Sequence, residues 1–170
     1  MSPAAQTKPL DASVATTPER AIVTTRLLDA PRELVFKVWT DPKHLPHWYG
    51  PNGFRITIEE MDVRPGGVWR LVMHGPDGRD YRNHIVFSEV VPPERLVYRH
   101  VPEPGTETAT HETIVTFADR GGKTEVTLRL VFESNAVRDH IIKTYNALEG
   151  GKQTVDRLAG YLAQLGGSAR

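Results

Sequence analysis

The sequence predicts an α+β domain in which a meander of about six or seven antiparallel strands is closed by one long C-terminal helix. Three observations carry this. From about Phe54 to Phe132, apolar residues alternate in short runs joined by tight turns. The connections are too short for parallel neighbours, which need a crossover of about a dozen residues or more. From about Ala136 to Leu165 the apolar period becomes helical. One sheet face covered by one helix leaves a space between them, and function is sought there.

Taken in order, residues 1–18 are rich in Ala, Thr and Pro and predict a disordered tail, with a single domain over 19–167. Ala21 to Leu28 is β-branched and alternating, a first strand. Pro31 suits a helix N-terminus, and Leu34, Val35, Val38 and Trp39 recur at helical spacing up to Pro42. Lys43 to Tyr49 forms a second helical turn, ended by Gly50-Pro51. Phe54, Ile56 and Ile58 alternate, then the apolar phase slips to Met61 and Val63, which predicts a β-bulge at Glu59-Glu60. Pro65-Gly66 fits the centre of a type II turn. The next strands are Val68 to His74, Tyr81 to Val90, Leu96 to Val101, His111 to Phe117 and Thr124 to Phe132. Between them stand Gly75-Pro76-Asp77-Gly78, Pro92-Pro93, Pro102 to Thr106 and Gly121-Gly122. In the final helix Ile141, Tyr145, Leu148, Val155, Leu158, Ala159, Leu162 and Leu165 form one stripe. Thirty helical residues would span about 45 Å. Gly150-Gly151 interrupts the stripe at a cost of about 2 kcal/mol relative to alanine, marking a kink, a close backbone contact or a break.

Composition removes several function classes. A chain of 170 residues balances 21 basic against 21 acidic side chains, so net charge draws it neither to nucleic acid nor to an anionic membrane. The absence of cysteine excludes disulfides, thiolate nucleophiles and cysteine-ligated metal centres. The first residues lack the basic and apolar regions of a secretory signal, and no apolar run reaches the roughly 20 residues of a membrane span. A cytoplasmic location is the expectation.

Several motifs in this order resemble the START/SRPBCC superfamily, in the bacterial branch related to the activator of heat-shock-protein-90 ATPase. They are Val38-Trp39-Thr40-Asp41-Pro42, His47-Trp48-Tyr49-Gly50-Pro51, Asp62-Val63-Arg64-Pro65-Gly66-Gly67 and Gly75-Pro76-Asp77-Gly78. Glu89-Val90-Val91-Pro92-Pro93-Glu94-Arg95-Leu96-Val97 and Glu149-Gly150-Gly151-Lys152-Gln153-Thr154 follow, before Leu158-Ala159 and Tyr161-Leu162-Ala163. The resemblance spans about Glu19 to Leu165. It implies a helix-grip fold, a curved antiparallel sheet wrapped around the C-terminal helix with a cavity between them. Members include lipid carriers, hormone-binding proteins, polyketide cyclases and co-chaperones, so the fold alone does not choose a function.

If the sheet grips the helix, one set of alternating residues faces inward. The apolar register selects Trp69, Leu71 and Met73, then Val86 and Val90, Leu96 and Tyr98, Val115 and Phe117, and Val126, Leu128 and Leu130. The same registers carry Arg82, His84, His100, His111 and Thr113 inward, with Tyr145 and Leu148 from the helix and Trp48 as core or as a wall at the mouth. A mostly apolar cavity with a few convergent polar groups is the usual profile of a small-molecule site. The bland alternatives are rim histidines bonded to backbone or water, an Arg82 head in water and tryptophans serving only as core.

The first reading is therefore a carrier or sensor for a small apolar or amphipathic molecule. The second is a cyclase- or aromatase-type enzyme using His84 or His111 with Tyr145 as general base and acid. The third, implied by the resemblance, is a co-chaperone-like interaction module. His44 and His47, three apart, and a cluster of His84, His100 and His111 are the two metal alternatives weighed. Neither has a supporting ligand pattern in sequence, and no metal, cofactor or catalytic residue is assigned. Ile85 and Phe87, if outward, would make a homodimer face.

Overall fold

The computed structural model describes residues 13–16, 20–102 and 110–168. Eight strands form one antiparallel sheet: β1 (Ser13–Thr16), β2 (Ala21–Leu28), β3 (Arg55–Met61), β4 (Val68–His74), β5 (Asp80–Val91), β6 (Arg95–Val101), β7 (His111–Arg120) and β8 (Lys123–Phe132). Their order across the sheet is β1-β2-β8-β7-β6-β5-β4-β3. Strands β3 to β8 pair with their sequence neighbours, as short turns demand. β2 lies beside β8, so the chain must cross from one end of the sheet to the other before β3. That crossing is made by α1 (Arg32–Thr40) and a 3-10 turn at Leu45–His47. Two helices, α2 (Asn135–Tyr145) and α3 (Ala147–Ser168), follow the sheet.

The curved antiparallel sheet packed on a long C-terminal helix, with short helices after the strand Ala21–Leu28, is the expected architecture. Two local features differ, and one expected turn is not tested. The tail expected over 1–18 lies mostly outside the described residues, but Ser13–Thr16 within it is a strand paired with β2. The helical stripe is broken at Asn146, whose φ of 53° is left-handed, and not at Gly150-Gly151. Asn is one of the few residues that adopts this conformation at modest cost. The two glycines lie inside α3 and mark a close approach instead. A Cβ on Gly151 would stand 3.0 Å from Thr24 Oγ1, and one on Gly150 would touch the Pro51 ring at 3.4 Å. The turn expected over Pro102 to Thr106 lies outside the described residues beyond Pro102.

Register decides which side chains reach the helix. The bulge expected at Glu59-Glu60 is present, with pairing shifting between Ile58 and Glu60. Gly67 N–H closes the next turn on Arg64 C=O at 2.8 Å, and Gly66 has a φ of 82°, as the Pro65-Gly66 pattern requires. A second bulge interrupts β5 between Phe87 and Glu89. Before it Ile85 and Phe87 point inward and are buried at 0% and 2% exposure; beyond it Val90 pairs with Leu96 on the inner face. The expectation that Val86 and Val90 share a face fails because this extra residue reverses the alternation. Ile85 and Phe87 are consequently core and form no dimer face.

Helix α3 is fastened across the sheet by polar groups at its partly buried side. Arg26 Nε on β2 donates to Asp156 Oδ1 at 3.1 Å, and Lys152 Nζ donates to Asp156 Oδ2 at 2.8 Å. Val155, Leu158 and Leu162 supply the apolar stripe beneath.

Candidate functional site

One end of the space between sheet and helix is solidly filled. Edge-to-face contacts run from Phe36 to Phe117 at 5.4 Å, from Phe117 to Trp39 at 5.7 Å and from Trp39 to Trp48 at 4.9 Å. They continue through Tyr49 to Trp69 at 5.2 Å, and Trp69 meets Tyr98 at 5.7 Å. Such pairs add about 0.5–1.5 kcal/mol each beyond area burial. Trp48 is locked further by its indole N–H, which donates to Val38 C=O at 3.1 Å. Trp48, Trp69, Leu71 and Val115 belong to this plug, each at most 1% exposed, and do not line the open volume.

Beyond the plug lies a half-enclosed cavity of about 250 Å³. The sheet supplies Ile22, Thr24, Met73, Leu128 and Leu130 as well as Tyr98, His100, His111 and Thr113. Trp39, Tyr49 and the Gly50-Pro51 loop close it from the crossing segment. From the helical side come Tyr145, Ala147, Gly150, Gly151 and Thr154. No lining residue is Lys, Arg, Asp or Glu. The glycines of α3 keep its backbone close to β2, so the roof is backbone and short side chains, while Thr154 turns its hydroxyl back to Gly150 C=O at 2.8 Å. The loop wall is held by Arg157 Nη1, which donates to Gly50 C=O at 2.8 Å and Pro51 C=O at 2.9 Å.

The polar wall is built by β6 and β7. Tyr98 stands opposite Thr113, and His100 opposite His111. The two imidazoles stack with centroids 4.1 Å apart and planes 18° from parallel. Burial, reinforced by the charge of His111 when present, holds His100 well below the usual imidazole pKa, so it is neutral at neutral pH. His100 Nδ1 is buried and has no hydrogen-bond partner among the described residues. Burial also pushes up the phenols of Tyr49 and Tyr98; the two are mutual partners, which raises Tyr49 further and partly offsets the rise at Tyr98. All of these phenols and His100 are therefore uncharged hydrogen-bonding groups.

Of the residues singled out from sequence, Met73, Tyr98, His100, His111, Thr113 and Tyr145 meet at the cavity. Tyr145 ends α2 at the mouth, 59% exposed. Leu148 is half-buried on α3 without lining the volume. Arg82, His84 and Val86 are corrections: the bulge in β5 puts them on the outer face, where Arg82 Nη1 pairs with Glu59 Oε1 at 3.4 Å. The cluster of His84, His100 and His111 is thereby split between two faces. His44 and His47 pack on Tyr161 instead of facing each other across an ion, His44 Nδ1 at 2.6 Å from its hydroxyl and His47 stacked on its ring at 5.1 Å. Sequence reasoning missed Ile22, Thr24, Trp39, Tyr49 and Thr154 as lining residues. The readable signal for Thr24 and Thr154 was Gly150-Gly151, two small residues that bring helix and strand together.

A family profile for Activator of Hsp90 ATPase homolog 1-like protein matches residues 29–163. No curated protein matches the sequence. Among solved structures, the solution structure of a protein from Arthrobacter aurescens is similar with a TM-score of 0.82 and 23% identity, over 89% of this chain and 91% of that one. A crystal structure from Mycobacterium smegmatis has a TM-score of 0.79 and 22% identity, covering 88% of this chain and 95% of that one. One from Chromobacterium violaceum has a TM-score of 0.72 and 25% identity, over 83% and 95% respectively. The chain belongs to the Activator of Hsp90 ATPase homolog 1-like family, within the START/SRPBCC helix-grip superfamily.

Proposed function

We propose that this protein binds a small, largely apolar molecule in the space between its sheet and α3. The observation that carries the reading is the cavity of about 250 Å³, lined by apolar side chains and a few uncharged polar groups, next to an aromatic plug that keeps its walls rigid. Convergent polar groups in an otherwise apolar pocket orient a ligand and confer selectivity. The acid–base alternative loses His84 to the outer face but keeps His111 and Tyr145, both of which line the cavity.

A neutral environment-sensitive probe of matching size, 1-naphthylamine, tests the reading. Saturable, blue-shifted emission with competition by naphthalene is expected. Leu128→Trp, which fills the cavity from β8, should abolish the signal while the thermal transition persists. Failure of neutral probes to bind saturably, or equal binding by a folded Leu128→Trp variant, would remove the proposal.

A further inference from the structure

The cavity wall formed by β6 and β7 restricts the chemistry of the occupant more narrowly than its apolar character does. His100 and His111 stack at 4.1 Å inside the lining, and Nδ1 of His100 is buried without a hydrogen-bond partner among the described residues. A buried polar nitrogen without a partner is costly; the indole nitrogens of Trp39 and Trp69 share this condition among the described residues, and of the three only those of Trp39 and His100 belong to residues lining the cavity. Two imidazoles in face-to-face contact cannot both be charged without strong repulsion, and burial keeps His100 neutral. A neutral imidazole always offers one ring nitrogen as an acceptor. With the proton on Nε2, Nδ1 of His100 is that acceptor, and the group it lacks is a donor.

The rest of the lining limits which donor fits. With no Lys, Arg, Asp or Glu among the lining residues, an ammonium would enter without a counter-charge, and a carboxylate would have one only from a protonated His111. A hydroxyl is neutral and donates. The volume limits size as well: an apolar cavity of about 150 Å³ accepts benzene, so about 250 Å³ corresponds to roughly ten non-hydrogen atoms. We propose that the cavity takes an uncharged, mainly carbocyclic molecule bearing a hydroxyl, which donates a hydrogen bond to the imidazole stack of His100 and His111. This rests on the cavity being a binding site at all.

Titration calorimetry of the full chain at neutral pH with naphthol, naphthalene, methoxynaphthalene and naphthoate separates the possibilities. Naphthol should bind about tenfold more tightly than naphthalene, the value of one additional buried hydrogen bond. Methoxynaphthalene keeps the oxygen but cannot donate, and should bind no better than the hydrocarbon. His100→Phe keeps a ring in the stack and should bring naphthol to the affinity that the same variant shows for naphthalene. Equal binding of naphthol and naphthalene by the native chain overturns the hydroxyl assignment and leaves the cavity reading standing. Tighter binding of naphthoate than of naphthol overturns the requirement for an uncharged ligand. Binding of none of the four overturns both readings. The ligand series needs no variant, so it decides the matter even if His100→Phe does not fold.

Discussion

Arg157→Leu should loosen the loop wall of the cavity and lower stability together, because one guanidinium nitrogen joins α3 to that loop. Arg157 Nη1 stands 2.8 Å from Gly50 O, 2.9 Å from Pro51 O and 3.4 Å from Phe54 O. One Nη carries two hydrogens, so two of these contacts are full bonds and the third is shared. Burial lowers the Arg157 pKa, yet an arginine stays charged throughout the neutral range, so both bonds are charge-assisted. Such bonds contribute about 1.5–3 kcal/mol each when buried. Arg157 is only partly buried, and water would replace part of what is lost. Discounting by about half gives a loss near 1.5–3 kcal/mol, or about 3–12 °C in Tm for a chain of this size. Leu keeps the stem apolar, so the change reports the guanidinium and not the packing of its methylenes.

The assay is thermal unfolding combined with amide exchange in the loop. Asn52 N–H donates to Gln153 Oε1 at 3.0 Å and Phe54 N–H to Pro51 C=O at 3.1 Å, so both amides report whether the loop stays docked. Their exchange should quicken about tenfold or more relative to the amides of β7, since each 1.4 kcal/mol of local stability is a factor of ten. A Tm within about 1 °C of the native protein, with unchanged exchange at Asn52 and Phe54, would refute the reasoning.

Gly67→Ala should destabilise by about 3 kcal/mol or more, read as a shift in denaturant midpoint, since a Cβ there would stand 1.9 Å from Asp62 O and the turn would have to open. Gly66→Ala is the control: nothing lies near its Cβ, and only its positive φ of 82° makes the change cost about 1–2 kcal/mol. His100→Phe should flatten the acid side of the stability profile. The folded pKa of His100 lies below the unfolded value of about 6.5, so native stability from this group is complete above that pH and falls as pH drops below it. The stability difference between native and variant chains should therefore change below about pH 6.5 and stay constant above it; a constant difference at every pH counts against a neutral buried imidazole.

Strand existence was legible because alternation and turn chemistry are local. Pro65-Gly66 and the phase slip at Glu59-Glu60 announced a turn and a bulge that both exist. The second bulge was missed although a signal stood there. Ser88-Glu89 separates the apolar residues Ile85, Val86 and Phe87 from Val90 and Val91, a phase slip like that at Glu59-Glu60, but three consecutive apolar residues before it left open which of them face inward. That single ambiguity moved Arg82, His84 and Val86 to the wrong face. Of the three readings left open for Gly150-Gly151, the close backbone contact is the one found, and the helix breaks at Asn146. Glycine is the stronger breaker by propensity, but α3 packs its glycines against Thr24 and Pro51, while the left-handed turn fell to Asn146. Volume was beyond reach altogether, because whether Trp48 and Trp69 fill the space or wall it depends on the tilt of rings across several strands.

The candidate site is at root a consequence of register. Tyr98 and His100 occupy alternate positions of β6, and Thr113 and His111 stand directly opposite them on β7. A slip of one residue between these strands would send the imidazoles to opposite faces and dissolve the stack, since side-chain direction reverses at every step. What holds the register is the plug at the far end of the same two strands. Leu96 and Val115, paired across the sheet and each at 0% exposure, lie beneath the ring cluster of Phe36, Trp39 and Phe117. A slip would carry Leu96 or Val115 into solvent, at about 1.5–3 kcal/mol for each side chain exposed. The filled half of the interior therefore specifies the open half, and the polar wall can carry an unpartnered imidazole nitrogen because its position is secured by Leu96 and Val115, which do not line the cavity.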